Sequence, residues 1–344
     1  MASLRFLVTA RTDPSARFRI DPYTAYFREA GHDPEVLELP ADGRGRRRIY
    51  RSLRSVDCVV LLRRLLVPWE SWILRRAATR LIYEYDDALV YRDSARGATP
   101  SRARELKFAM LAQTANAVVA GSDYLASLAG PYRGRTEVVP TILDPADYPI
   151  RAPHRGGAAG APLTLGWIGT RSNFPYLEWV AEALMRAGKG RDVTLRVMAE
   201  CPPSIPEGDG LRVEFAPWAA DAESAFLRTL DVGLMPLFDD PWCRGKCGLK
   251  ALQYMATGVP VVASDVGVAR DVIGPGGFVV RSLEAWSAML ERLLADPALR
   301  TRMGLAGRDR VERRYSPAVW YGRLEAAYLG TEGIDPGSRD RIRA

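Results

Sequence analysis

Hydrophobic positions along the chain follow two rhythms. Short β-branched or apolar runs such as Cys58–Leu62 and Leu163–Ile168 alternate with longer stretches in which apolar side chains return every three or four positions. The first rhythm belongs to buried strands and the second to helices packed on one face. Their regular alternation is the signature of parallel, doubly wound α/β sheets. In the front half the pattern predicts strands at Leu4–Thr9, Glu35–Leu39, Cys58–Leu62, Arg80–Tyr85, Ala117–Ala120 and Glu137–Val139. Helices fall between them near Pro22–Ala30, Arg46–Leu53, Trp69–Ala78, Ser101–Thr114 and Ser122–Leu128. From Asp144 to Pro162 prolines and Gly156, Gly157 and Gly160 replace the periodicity, which reads as a linker. Beyond it come strands Leu163–Ile168, Thr194–Met198, Val213–Phe215, Val232–Pro236, Val259–Ala263 and Gly277–Val279. The accompanying helices are Phe174–Gly188, Ala222–Thr229, Lys246–Thr257, Val268–Val272, Leu283–Ala295, Pro297–Arg314 and Pro317–Leu329. The expected architecture is therefore two doubly wound, Rossmann-like domains, residues 1–150 and 151–330, followed by a polar tail at 331–344. Ligands of such sheets sit beyond the carboxyl ends of the strands, so chemistry is expected in a cleft between the domains.

Length agrees with two domains, since 344 residues is about twice the usual 100–200 of one. Hydrophobic residues at 47% and charged ones at 26% exclude a largely disordered chain. The apolar stretch Val59–Trp72 is interrupted by Arg63, Arg64 and Glu70, well short of the roughly 20 residues that span a bilayer. Met1–Ala10 carries Arg5 inside a strand pattern and lacks the regions of a signal peptide, so a cytoplasmic protein is expected. The net charge of +7 is mild but unevenly spread: Arg44, Arg46, Arg47, Arg48, Arg51 and Arg54 crowd one short stretch. That stretch is either an anion-facing patch or a solvated helix start. Tyr50 is its one interleaved aromatic and no groove-reading motif accompanies it, so nucleic acid is not an expected partner. The four cysteines suit a reduced compartment rather than a disulfide framework. Cys243 and Cys247 have no histidine near them, so no metal site is expected.

The stretch from Asp231 to Arg270 is the most informative, and reads strand, loop, helix, turn, strand. With a helix beginning near Lys246, the residues Lys246, Lys250, Gln253 and Thr257 form one polar stripe opposite Leu249, Leu252 and Ala256. The polar stripe is expected to face a cleft or water. Arg244, Lys246 and Lys250 would then gather at a helix start, against the helix dipole. An anion such as a diphosphate, held also by backbone N–H groups near Gly245 and Gly248, would make sense of that arrangement; Asp239 and Asp240 could instead balance the charge locally.

The run KCGLKALQYMATGVPVVASDVG, the preceding LMPL and the turn GWIGT at Gly166–Thr170 resemble the carboxy-terminal domain of family 4 (group 1) glycosyltransferases, which have the GT-B fold. The segments VVAGSDYLASLA and VVPTILDPADYP are similar to the end of that family's amino-terminal domain. The resemblance implies a retaining transferase that moves a sugar from a nucleoside diphosphate donor to an acceptor hydroxyl, with no metal and no other cofactor. Cations and a helix N-terminus would stabilise the departing diphosphate. Carried over by position, Lys246 and Lys250 would contact the diphosphate or nearby sugar, Arg171 would be a further cation, and Gln253 would approach the ribose. Gly169, Thr170, Arg244, Gly248 and Leu249 would complete the donor contacts. The chain departs from the family pattern where many members carry two glutamates eight apart, since Gly245 and Gln253 stand there. Its Lys-rich start resembles a branch of the family with a KC-x-x-K-x-x-QYMA pattern.

Other residues have two readings each. Glu84, Asp86 and Asp87 end a strand, and a carboxylate among them, Asp86 first with Asp87 binding beside it, would orient or deprotonate the acceptor hydroxyl, or they would simply cap the next segment. Arg17 and Arg19 would line the cleft or lie in a solvated loop. Trp218 would flank a nucleobase or sit in the core. Asp265–Arg270 resembles the loop that holds the donor sugar. His32 and His154, the two histidines, are not placed as bases. Two rival functions have the same shape: a catalytically silent GT-B-like subunit, suggested by the missing glutamates, and a nucleotide-sugar epimerase. The acceptor expected of a transferase is a lipid-linked or envelope glycan if Arg44–Arg54 docks on a membrane, and a small-molecule natural product if it does not.

Overall fold

The protein is described from a computed structural model, over residues 1–132, 135–151, 162–208 and 210–331. Among the described residues, twelve strands form two six-stranded sheets in which every ladder is parallel. The first sheet contains β1 (Ser3–Val8), β2 (Asp33–Glu38), β3 (Cys58–Leu62), β4 (Arg80–Tyr85), β5 (Ala117–Ala120) and β6 (Thr136–Val138), in the order β2-β1-β3-β4-β5-β6. The second contains β7 (Leu163–Ile168), β8 (Val193–Ala199), β9 (Leu211–Pro217), β10 (Val232–Met235), β11 (Val261–Ser264) and β12 (Gly277–Val280), in the order β12-β11-β10-β7-β8-β9. Each expected strand is present, displaced at its ends by one or two residues at most. The strands are nearly continuous apolar runs because helices cover both faces of each sheet. Leu7, Val59, Leu61, Tyr83 and Tyr85 pack under one layer of the first sheet, and Phe6, Val8, Val60, Leu62 and Ile82 under the other.

The described residues group into two compact units. One holds Met1–Leu143, Asp240–Cys247 and the chain from Arg314 onward; the other holds Asp144–Asp239 and Gly248–Arg313. These units differ from a division at 150 and 330. Residues at the start of the expected linker already belong to the second unit, where Tyr148 is buried and its hydroxyl donates to Glu223 at 3.1 Å. The helix Pro317–Leu329 belongs to the first unit, where Tyr328 stacks on Phe27 with ring centroids 5.9 Å apart. The remaining linker residues, with His154 and the glycines at 156, 157 and 160, and the tail from 332 onward lie outside the described residues.

One helix escapes the periodicity. Pro14–Arg19 begins at Asp13, whose side chain accepts from the N–H of Ser15 at 3.2 Å, so Arg17 and Arg19 lie on a helix rather than in a loop. The other difference bears on function. The helix expected from Lys246 begins at Leu249, because Gly248 takes a left-handed φ of 75° that an α-helix cannot continue through. Residues Cys243–Gly245 form a separate 3-10 turn and Lys246 is extended. All four cysteines carry free thiols.

Candidate functional site

Each sheet has one point where the strand order reverses, and both carry charged groups there. In the second unit the reversal lies between β7 and β10. The chain leaving β7 passes through Gly169, Thr170 and Arg171. The Gly169 N–H donates to Met198 O at 3.1 Å, and that of Arg171 donates to Glu200 Oε2 at 2.9 Å. The Thr170 hydroxyl lies 2.9 Å from that of Ser172, and the Arg171 side chain is exposed. A side chain at position 169 has no room: its Cβ would sit 2.6 Å from the ring of the buried Trp167 and 3.1 Å from Cε of Lys250. The Lys250 ammonium lies over the Trp167 ring, 4.7 Å from its centroid. Tertiary packing thus brings Gly169 and Lys250 together. Lys250 stands in the first turn of the helix Leu249–Ala256, whose leading N–H groups have no acceptor within the helix.

The polar stripe of that helix does not face water. Gln253 is 3% exposed and Thr257 fully buried, because the helix is enclosed on all sides from Ala251 onward. Gln253 Nε2 donates to Glu223 Oε1 at 2.7 Å and reaches the Tyr148 hydroxyl at 3.5 Å. Glu223 can only accept while ionised, so the amide orientation is fixed with its nitrogen toward the carboxylate. Glu223 also accepts from Trp218 Nε1 at 3.0 Å. Trp218 itself is 37% exposed, which removes the reading that places it in the core. Glu223 is the residue that sequence reasoning missed here; it lies in the five-residue helix Glu223–Leu227 with no motif around it. Asp265 is tied to Arg270 at 2.6 Å and to Arg281 at 2.5 Å, and these two guanidiniums hold its carboxyl below the ordinary range.

In the first unit the reversal lies between β1 and β3. Arg63 follows β3 directly, at a φ of 59° that is uncommon for a residue with a side chain. Its N–H donates to Glu84 O at 2.8 Å. Its guanidinium donates to Asp87 Oδ2 at 2.5 Å and Ser15 Oγ at 2.6 Å, and lies 3.4 Å from both Asp13 and Asp86. Ser15 Oγ in turn donates to Asp86 Oδ2 at 2.7 Å, and Asp86 Oδ1 is buried without a hydrogen-bond donor. Arg63 is read in the sequence only as a break in an apolar run, although its place after β3 marks it.

Lys246 joins this same cluster. Its ammonium donates to Asp87 Oδ1 at 2.8 Å and lies 4.6 Å from the centroid of the Trp242 ring. Burial would raise the Asp87 carboxyl, but Lys246 and Arg63 outweigh it and hold the group below its ordinary range. The expected stripe of Lys246 with Lys250 and Gln253 is therefore broken: Arg244 and Lys246 pack within the first unit, and Lys250 and Gln253 within the second. Gly245, where the resemblance to family 4 leads one to expect a glutamate, approaches Ala88 so closely that a Cβ would lie 2.6 Å from the alanine methyl and 2.7 Å from its nitrogen. No glutamate fits there in this arrangement.

Glu84 and Arg19 have a structural part. They form an ion pair at 2.6 Å with both side chains 1% exposed, and Tyr328 donates to the second oxygen of Glu84. Arg17 is half-buried, its guanidinium 5.0 Å from the Phe18 ring centroid. His32 bridges Ala2 N–H at 3.1 Å and Glu325 at 2.9 Å, away from both clusters.

Residues 162–296 match the family model described as Glycosyl transferases group 1. Among solved structures, sucrose-phosphate synthase from Thermosynechococcus elongatus superposes with a TM-score of 0.73 at 18% identity, over 96% of this chain and 99% of that one. Anabaena HepE in complex with UDP-glucose gives 0.71 at 15% identity, over 94% and 98%. The fold is GT-B. Curated relatives of the GT-B chain include a D-inositol 3-phosphate glycosyltransferase of Pseudarthrobacter chlorophenolicus, 36% identical over 31% of this chain and 25% of that protein. A second, from Nocardia farcinica, is 30% identical over 53% and 44%. An MMP alpha-(1->4)-mannosyltransferase of Mycolicibacterium hassiacum is 29% identical over 39% and 34%. The chain spans less than half the length of these curated relatives.

Proposed function

We propose that the protein is a glycosyltransferase, taking a sugar from a nucleoside diphosphate donor to an acceptor hydroxyl with retention at the anomeric carbon. The observation that carries this reading is a coincidence of two findings. The stretch matching the group 1 glycosyltransferase family is also the one whose sheet reversal gathers Gly169, Arg171 and Lys250. In the proposed reaction the bond from the anomeric carbon to the diphosphate oxygen breaks and one to the acceptor oxygen forms. The hydroxyl proton passes to a phosphate oxygen of the leaving group. Charge grows on the diphosphate, and in this reading Lys250, Arg171 and the first N–H groups after Gly248 would stabilise it. Lys246 would serve the same end on leaving Asp87, and Arg244 stands beside it. Gln253, oriented by Glu223, would present its carbonyl oxygen to a ribose hydroxyl, and Trp218 an exposed indole to the base. Asp86, whose Oδ1 is buried 3.4 Å from Arg63, would have to turn out of that ion pair to take a hydrogen bond from the acceptor hydroxyl, with Asp87 and Arg17 as further groups of the site. No step is assigned to a metal.

A thermal-shift series with UDP, GDP, TDP, ADP and their sugar conjugates tests the reading, since a ligand of the native state raises the midpoint by mass action. One nucleotide should stabilise the protein, with chelator present or absent, and its sugar conjugate should be turned over. Absence of any shift at millimolar ligand refutes the donor site. Binding without turnover of donor in the presence of acceptor extracts refutes transfer in favour of a silent subunit.

A further inference from the structure

The basic stretch in the first unit is not absorbed by the transfer chemistry. It forms the helix Gly43–Ser52, on which Arg44, Arg47, Arg48 and Arg51 are all exposed, with no acidic residue between Gly43 and Ser55. Arg46 turns inward and pairs with the buried Glu70 at 2.5 Å, which fixes this helix against the helix Pro68–Ala77. That second helix carries Trp69 and Trp72, three positions apart and 44% and 61% exposed. Two indoles held in the open on one helix are costly unless something covers them. They are also not isolated from the charge: Arg47 lies over the Trp69 ring at 4.7 Å and Arg76 over the Trp72 ring at 4.9 Å.

We infer that this surface seats the protein on a bilayer containing anionic lipid, with Trp69 and Trp72 at headgroup depth and the arginines on lipid phosphates. Indoles favour the boundary between headgroups and acyl chains, and guanidinium groups beside them reach phosphate oxygens in the same plane. A helix pair lying on the surface suffices, and among the described residues no helix is long and apolar enough to cross a membrane. A single-stranded nucleic acid would stack its bases on aromatic faces, and one face of each indole is already taken by an arginine. The inference does not depend on the transfer reaction.

Sedimentation of the full chain with vesicles tests it, comparing phosphatidylglycerol mixed into phosphatidylcholine with phosphatidylcholine alone. The anionic vesicles should carry the protein down, the neutral ones should not, and added salt should release it. Each arginine at such a surface contributes about fivefold in partitioning, so Arg44→Gln/Arg47→Gln/Arg48→Gln/Arg51→Gln should lose on the order of a hundredfold or more. Trp69→Ala/Trp72→Ala should lose about tenfold and abolish the quenching of tryptophan emission by brominated lipid seen in the parent. All of these side chains are exposed, and an unchanged melting temperature checks that the variants fold. Failure to bind anionic vesicles at low salt overturns the inference, as does equal binding by both variants. Capture by heparin with no lipid quenching overturns it in favour of a soluble polyanion, and a concentration-dependent dimer lost in the tryptophan variant overturns it in favour of a second copy.

Discussion

Replacing Arg19 by methionine leaves a carboxylate, Glu84, in the interior with its main counter-charge gone. The pair lies at 2.6 Å and both side chains are 1% exposed, so water cannot take over the role of the guanidinium. Removing one member of a buried pair costs about 3–5 kcal/mol, which for a unit of this size lowers the melting temperature by roughly 6–20 °C. The pH dependence carries a sign. Burial already pushes the Glu84 carboxyl above its ordinary range, opposed by Arg19 and by the Tyr328 hydroxyl. Without Arg19 it rises further. A carboxyl whose folded pKa is raised binds its proton more tightly when folded, so the deficit is absent below the unfolded value, near 4.3, and grows as pH climbs through the folded one. The Arg19→Met protein should therefore recover stability toward pH 4. Arg19→Met/Glu84→Gln should recover most of it at neutral pH, because a neutral amide needs no counter-charge. Calorimetric melting of the parent, the two single variants and the double variant across pH measures this. An Arg19→Met protein that melts like the parent but turns over donor more slowly would refute the structural role and favour the reading in which Arg19 lines the cleft.

Three further outcomes follow from the two clusters. Lys250→Ala should lower turnover by about 100-fold or more if its charge meets the leaving diphosphate, while losing only about 1 kcal/mol of stability from the contact with Trp167; an unchanged rate constant rules out that role. Asp87→Asn should destabilise the protein at neutral pH, and because the Asp87 carboxyl is held below its ordinary range, the gap to the parent should close as pH falls from about 4 through that depressed value. Urea titrations at a series of pH values measure it, and a gap that persists in acid contradicts the ion-pair assignment. Glu223→Ala should cost about 1–3 kcal/mol for the Gln253 amide alone and weaken nucleotide binding in calorimetry; retention of both would detach Glu223 from the donor site.

The strands were legible because parallel strands covered on both faces leave long apolar runs, and Cys58–Leu62, Ala117–Ala120 and Leu163–Ile168 coincide with β3, β5 and β7 to the residue. The helix Pro14–Arg19 was not, since six residues give too little periodicity to register and its capping Asp13 looks like any loop aspartate. At the site, Gly169 and Lys250 are each singled out by their motifs, but not as neighbours. Lys246 could not be placed, because one left-handed glycine at 248 decides whether it belongs to the helix or to the preceding strap, and sequence periodicity runs straight through that glycine. Glu223 carries no local signature, and Arg63 has only its place directly after β3. Each becomes informative only when strands distant in sequence bring aspartates, or an amide and an indole, to the same spot.

The first unit is closed by two late pieces of chain, residues 240–247 and the helix Pro317–Leu329. As the polypeptide emerges during synthesis, the sheet within residues 1–143 must therefore wait, with Phe6 and Phe27 lacking the ring that packs on them, until Tyr328 has been made. The second unit needs nothing beyond Arg313, and so is complete while the first still lacks its last helix. A chimera that exchanges the second unit between proteins of this fold consequently cannot be cut at a single joint. It has to leave the strap and the final helix with the amino-terminal sheet, or the recipient will be born with an open hydrophobic flank.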